Sequence, residues 1–290
     1  MFKINQIFKF ITTVICCFIV TASSNAYAGV RIRCASTTST QNSGLFEFIL
    51  PAFENKTGIK IDVIAVGTGA AIEIGKRGDA DLLLVHAKEQ ELKAVEQGFF
   101  MNRHNVMYND FVIIGPSETT IKSTDFETAT DMFRRVSENR FPFVSRGDNS
   151  GTHIKEISIW KKINPDFLAK KHKWYMEVGQ GMAKTLRIAN EKRAYTITDR
   201  ATWYSLQDEL DMKIVFQGDP VLFNQYGVMV VSPKIHKHIK YKEAMQFIDW
   251  IISKDGQKTI SSFKDKYGRQ LFYPNAVIPR HKQLEPQLKN

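Results

Sequence analysis

The sequence is short of the features that would make it a disulfide-built, metal-built or catalytic protein. It has three cysteines in 290 residues, and Cys16 and Cys17 fall in an apolar run near the start. Losing that run leaves Cys34 alone, so no internal disulfide can form and a packed core must supply the stability. No Cys/His spacing resembles a structural zinc site, and no metal is expected. There is no G-x-S-x-G elbow and no H-E-x-x-H helix, which removes the commonest hydrolase signatures. Low-complexity linkers are absent too. No apolar stretch reaches the roughly 20 residues that a membrane-spanning helix needs.

Residues 1–28 read as an export leader: Lys3 and Lys9 open it, Ile11 to Val20 is its apolar stretch, and Ala26-Tyr27-Ala28 is an A-x-A cleavage site. Cleavage after Ala28 is expected, giving a soluble periplasmic protein that begins at Gly29. A soluble protein fits better than a lipid-anchored one, since Cys34 follows Arg33 and no cysteine stands at the cut. The formal charge of +10 falls to +8 without the two leader lysines. A basic surface suits anionic ligands. Export removes nucleic acid as a partner, and the lysines are scattered rather than gathered into a stripe.

About 260 mature residues exceed a typical single domain of roughly 100–200. Short apolar runs such as Ile59 to Val66, Asp81 to Val85 and Phe111 to Ile114 alternate with helical patterns, the signature of a parallel α/β protein. The helix carrying Leu45, Phe48 and Ile49 is expected to kink or end at Pro51. Further helices are predicted over Thr124 to Glu138, Gly181 to Lys192 and Lys242 to Phe263, the last interrupted near Asp255-Gly256. Without a linker, a domain boundary has to be a crossing of the chain, and the strands near Ile113 and Val230 are the candidates. The expected fold is α/β, with two doubly wound lobes joined by crossing strands and a ligand cleft between them. Residues 29–113 and 230–290 form the first, discontinuous lobe, and 114–229 the second.

The chemistry concentrates in Ser145-Arg146-Gly147-Asp148-Asn149-Ser150-Gly151-Thr152-His153. Arginine offers a charged fork of N–H donors, and glycines let backbone N–H groups approach an anion at a helix N-terminus. An ordinary helix cap has the same composition, with Asp148 paired to Arg146 and Ser150 or Thr152 satisfying the first N–H groups. Three more segments run from a strand into a Gly, Ser or Thr turn and then a helix: Ser36 to Thr40, Gly67-Thr68-Gly69 and Gly179-Gln180-Gly181. At the carboxyl edge of a doubly wound sheet such turns aim helix N-termini into one cleft. Thr38, Ser39 and Thr68 are the candidate ligand-binding residues of the first lobe, and Arg146, Ser150 and Thr152 those of the second. Donors outnumber acceptors, which favours an unprotonated tetrahedral dianion over monohydrogen phosphate. His86 and His153 are assigned to the core or to supporting positions.

Thr37-Thr38-Ser39-Thr40 with Ser43-Gly44-Leu45, Ala65 to Ala70, Asp79 to Ala87, Tyr108 to Phe111, Ser145 to His153, Gly179 to Met182 and Ala194 to Arg200 together resemble the periplasmic tungstate-binding proteins of ABC transporters. The resemblance covers nearly the whole mature chain, although Arg-x-Asp-x-Ser-Gly-Thr alone is also similar to the phosphate-binding relatives. It departs at the first turn, Ser36-Thr37-Thr38-Ser39 in place of Thr-Thr-Thr-Ser, where a hydroxyl is kept. The resemblance implies a type II periplasmic binding protein, not an enzyme, without a cofactor. It implies capture of the tungstate oxyanion, with molybdate as a second ligand, and delivery to an inner-membrane permease; a monomer is expected. The alternatives are a phosphate- or sulfate-type oxyanion-binding protein and an exported hydrolase built on Ser145, Asp148 and His153. A triad confined to one short stretch has little to recommend it, because triads assemble in space.

Overall fold

The computed structural model describes residues 29–169 and 172–277. The predicted leader, its cleavage point and the Lys170-Lys171 pair lie outside the described residues. Among those described, no helix is long and apolar enough to cross a membrane.

The chain starts on β1 (Arg31–Thr37), followed by a short helix α1 (Thr38–Asn42) and by α2 (Leu45–Thr57). Next come β2 (Lys60–Val66), α3 (Thr68–Lys76), β3 (Leu82–Val85) and α4 (Lys88–Glu96). The 17-residue strand β4 (Phe100–Pro116) leads to α5 (Ala129–Asn139), β5 (Phe143–Ser145) and α6 (Gly151–Ile163). Then follow β6 (Tyr175–Glu177), α7 (Met182–Glu191), β7 (Thr196–Asp199), α8 (Arg200–Leu206) and β8 (Met212–Phe216). The last elements are β9 (Phe223–Val231), α9 (Tyr241–Ile251), α10 (Lys254–Ser262) and β10 (Tyr273–Pro274).

β1 lies between β2 and β3 in parallel register, and β3 then pairs antiparallel with β9. β4 pairs antiparallel with β9 from Phe100 to Asp110, then exchanges that partner for β7 and β8 from Phe111 to Pro116. The sheet is therefore mixed rather than parallel throughout. One continuous strand joins two lobes, as a two-lobed fold with crossing strands requires.

Alternation along the strands explains why each lobe is covered on both faces. Ile32, Cys34, Leu82 and Leu84 face α2, α9 and α10 through Phe53, Phe247 and Ile260. Their neighbours Ala35, Leu83 and Val85 face Ala71 and Ile72 of α3 and Ala94 of α4. In the second lobe Phe111 and Ile113 pack against α5 and α6 around Phe133 and Trp160, while Val112 and Ile114 meet Leu186 of α7 and Trp203 of α8. From Arg31 onward the chain forms one compact unit.

Two local expectations change. Pro51 does not end its helix, which continues to Thr57. The carbonyl that proline leaves without an intrahelical donor belongs to Glu47, an exposed residue on the same side as Pro51, so water can meet it. Phe48 is 43 % exposed, and Phe46 takes the core position beside Leu45 and Ile49. The last long helix divides at Ser253, whose side chain accepts from Gly256 N, close to the interruption expected near Asp255-Gly256. Gly256 is packed so close that a Cβ there would lie 2.2 Å from the Trp250 carbonyl oxygen.

Candidate oxyanion site

Three of the four predicted turns meet at one small cavity. Its lining is Thr37, Thr38, Ser39, Val66, Gly67, Thr68, His86, Arg146, Ser150 and Gly151, around an empty volume of about 170 Å³. The turn at Gly179-Gln180-Gly181 opens α7 but contributes no lining residue. A convergence of all four turns is thus corrected to three.

Each wall is the start of a helix at the carboxyl end of a strand. Thr37 caps α1, its hydroxyl accepting from Thr40 N at 3.3 Å. Gly67 is the N-cap of α3, and Ser150 caps α6 by accepting from His153 N at 3.3 Å. The first N–H groups of a helix have no intrahelical acceptor and carry the positive end of its dipole. α1 is short, so α3 and α6 bring most of that field.

Arg146 is the one full cation in the lining, and no carboxylate lines the cavity. It is 4 % exposed. Its Nη2 donates to Asp148 Oδ2 at 2.5 Å, while its Nε is buried without a protein partner. A buried guanidinium N–H left unmet costs free energy unless a ligand oxygen takes it. Asp148 also accepts from Ser150 N at 3.1 Å. Burial works to raise its carboxyl, but the Ser150 hydrogen bonds and the Arg146 charge win and hold it below the usual range. Asp148 therefore supports the loop and the guanidinium. It is not placed as part of a triad: His153 Nδ1 accepts from Asn149 N at 3.0 Å.

Thr38, Ser39, Thr68, Arg146 and Ser150 line the cavity. Thr152 does not, although it is 1 % exposed with its Oγ1 buried and unpartnered. His86 was not expected there. Its Nε2 lies 3.3 Å from Thr37 Oγ1 and 3.4 Å from Ser39 Oγ, and its Nδ1 is 3.0 Å from Asn224 Oδ1. Burial above all, with the Arg146 charge, pushes the imidazolium down to about 4, against the hydrogen bond to Asn224. The ring is neutral at pH 7. Its position after Leu82 to Val85, at the carboxyl end of a buried strand, is the signal that could have found it.

The lobes touch across the cavity. Gly151 N donates to Thr68 Oγ1 at 3.3 Å. Among the described residues no group of three or more His, Cys, Asp or Glu could hold a metal ion.

A PBP superfamily domain matches residues 21–255. Tungstate-binding protein TupA of Peptoclostridium acidaminophilum is 43% identical over 247 residues, covering 84% of this chain and 85% of that protein. The chain belongs to the PBP superfamily, in the family of the tungstate-binding protein TupA. Among solved structures, the tungstate binding protein TupA from Desulfovibrio alaskensis G20 superimposes with a TM-score of 0.74 at 41% identity, covering 86% of this chain and 100% of that one. The tungstate ABC transporter structure from Geobacter sulfurreducens gives 0.73 at 46% identity, covering 80% and 98%. The two TupA proteins are named for binding tungstate, and the Geobacter structure for a tungstate ABC transporter. The sequence resemblance and the fold expected from it are therefore borne out, and the hydrolase alternative falls.

Proposed function

We propose that this protein captures tungstate in the periplasm, with molybdate as a second ligand, and hands it to an ABC-transporter permease in the inner membrane. The observation that carries the reading is the cavity itself: donors converge from three helix starts, Arg146 holds a free buried Nε, and no carboxylate intrudes. Relatives described as tungstate-binding proteins, matched over most of their length, support tungstate as the ion.

Thr38, Ser39, Thr68, Arg146 and Ser150 would donate to the four oxygens, and Thr152 would act from just behind the wall. An anion of WO₄²⁻ or MoO₄²⁻ carries no proton and needs no acceptor. Monohydrogen phosphate needs one, and the only ring nitrogen with a lone pair in the lining, His86 Nε2, already faces the Thr37 and Ser39 hydroxyls. Sulfate needs none, but a smaller ion leaves donors of a fixed ring unpaired.

Closure joins Thr68 of one lobe to Gly151 of the other around the ion. The lobe assignment, 29–113 with 230–290 around 114–229, belongs to this proposal. The partner exchange after Asp110 supports the first crossing, and the pairing of all of β9 with β3 and β4 favours a second crossing near Phe223. Export with cleavage after Ala28 and a monomeric state complete the reading.

Calorimetric titration of the purified mature protein with tungstate, molybdate, sulfate and phosphate at neutral pH tests it. Saturable heat with the first two and little with the others is expected. No heat with either metal oxyanion would sink it.

A further inference from the structure

His86 is 7 % exposed at the cavity wall, stacked on Tyr226 with centroids 4.7 Å apart. The state of its ring is set from behind. Asn224 Nδ2 donates to Asn109 Oδ1 at 2.7 Å, so its amide oxygen is the atom turned to the imidazole, 3.0 Å from Nδ1. An amide oxygen can only accept, so Nδ1 carries the proton and Nε2 is a bare lone pair.

That lone pair has a consequence for the hydroxyls in front of it. Thr37 Oγ1 has one hydrogen and two lone pairs. One lone pair accepts from Thr40 N at 3.3 Å, the other can accept from the Thr40 hydroxyl at 2.7 Å, and with Nε2 bare that arrangement gives the hydrogen to His86 Nε2 at 3.3 Å. Ser39 Oγ, 3.1 Å from Thr37 Oγ1, then finds no free acceptor on Thr37, and the single Nε2 lone pair 3.4 Å away is already met by the nearer Thr37 hydrogen. Its hydrogen is left for the cavity.

We propose that His86 is a positioning residue for the oxyanion: its bare Nε2 sets the direction of the Thr37–Ser39 hydroxyl pair so that Ser39 donates to the bound ion, and Asn224 with Asn109 fixes which ring nitrogen does so. This rests on the oxyanion-binding reading. Asn109 and Asn224 face each other in the β4–β9 register, on the rung before the last that these strands share. A donor of the site is thus oriented from the strands that join the lobes.

The test combines tungstate calorimetry with imidazole nitrogen NMR of the ¹⁵N-histidine-labelled mature protein. Wild type should show His86 protonated at Nδ1 and bare at Nε2. His86→Gln, whose amide oxygen can stand in for Nε2, should bind within about threefold of wild type, whereas His86→Leu should lose roughly tenfold or more, the scale of one hydrogen bond to a charged ligand. Asn109→Leu, which touches no lining hydroxyl, should move the ring proton toward Nε2 and weaken binding by about tenfold. A wild-type Nε2 that carries the proton overturns the inference, and so does an Asn109→Leu protein with an unchanged ring. Equal losses in His86→Gln and His86→Leu, or no loss in His86→Leu, overturn it as well while leaving oxyanion binding intact. A wild type that gives no tungstate heat instead removes the reading beneath it. If His86→Leu does not fold, the ring spectra and His86→Gln decide.

Discussion

Gly151 and Thr68, 83 positions apart, are joined by a backbone N–H donated to a side-chain hydroxyl at 3.3 Å, and this bond closes the cavity. The approach depends on the missing side chain. A Cβ on Gly151 would lie 2.8 Å from His86 Cε1 and 3.2 Å from Thr68 Oγ1. The His86 ring is pinned by Asn224 and cannot swing away cheaply. Gly151→Ala is therefore expected to hold the lobes apart and lower tungstate affinity by about 10–100-fold. Its melting temperature should not fall, because this glycine has no positive φ and alanine suits a helix start at least as well. Calorimetry beside a thermal melt checks both halves, and unchanged affinity would mean that the wall yields.

Arg146→Ala should cost more than any other single change in the lining. It removes the one full charge there and the buried Nε that only a ligand can satisfy. Hydrogen bonds to charged groups are worth roughly 1.5–3 kcal/mol, which is about 10–150-fold in affinity. Arg146→Lys keeps the charge but not the planar fork and should recover only part. Asp148→Asn, still able to accept from Ser150 N, should weaken binding less than Arg146→Ala. A folded Arg146→Ala protein with near-normal tungstate binding would contradict this.

Much of this site was legible because its parts are local. A helix start needs its cap and its glycine within a few residues, so Ser36 to Thr40, Gly67 to Gly69 and Ser145 to Thr152 announce themselves in the sequence. What the sequence hid depends on contacts across the fold. His86 reads as the polar end of a buried strand until Asn224, 138 positions away, is brought behind it. Phe100 to Asp110 carries too many polar residues to read as strand, yet it pairs with β9 as the first half of β4. Gly179 to Gly181 has the composition of an anion turn, but among the described residues its strand, β6, pairs only with β5, and the turn stays out of the lining.

Stability should carry a pH signature from Glu156. Its carboxylate accepts from Trp160 Nε1 at 3.1 Å and from the Tyr175 hydroxyl at 2.8 Å, and burial, outweighing these bonds, pushes it up to about 8 from an ordinary value of 4.5. Between those values the folded protein holds a proton that the unfolded chain has released. Its contribution is therefore fully present below pH 4.5 and is lost as pH rises to about 8. His86, lowered to about 4, acts oppositely, since the unfolded chain binds the extra proton between 4 and 6.5. A single curve would mix them. The difference between wild type and Glu156→Gln in urea unfolding isolates the first, and it should fall steadily from pH 4.5 to 8. A flat difference would show that Glu156 is ionised in the fold.

Glu91 and Arg103 form an ion pair below the start of α4, with Arg103 Nη2 2.8 Å from Glu91 Oε2 and the Glu91 side chain fully buried. Glu91 Oε1 also accepts from Ala87 N at 2.8 Å, and Arg103 Nη1 donates to Asn105 Oδ1 at 2.7 Å. Arg103→Met leaves a buried carboxyl without its cation and should cost about 3–5 kcal/mol in urea unfolding. Replacing both, as Glu91→Leu with Arg103→Met, should recover most of that loss, because neither charge then needs to be desolvated. If the double variant is as unstable as the single, the pair earns its place through the Ala87 bond. Ala87 follows His86, so tungstate affinity should then fall along with stability.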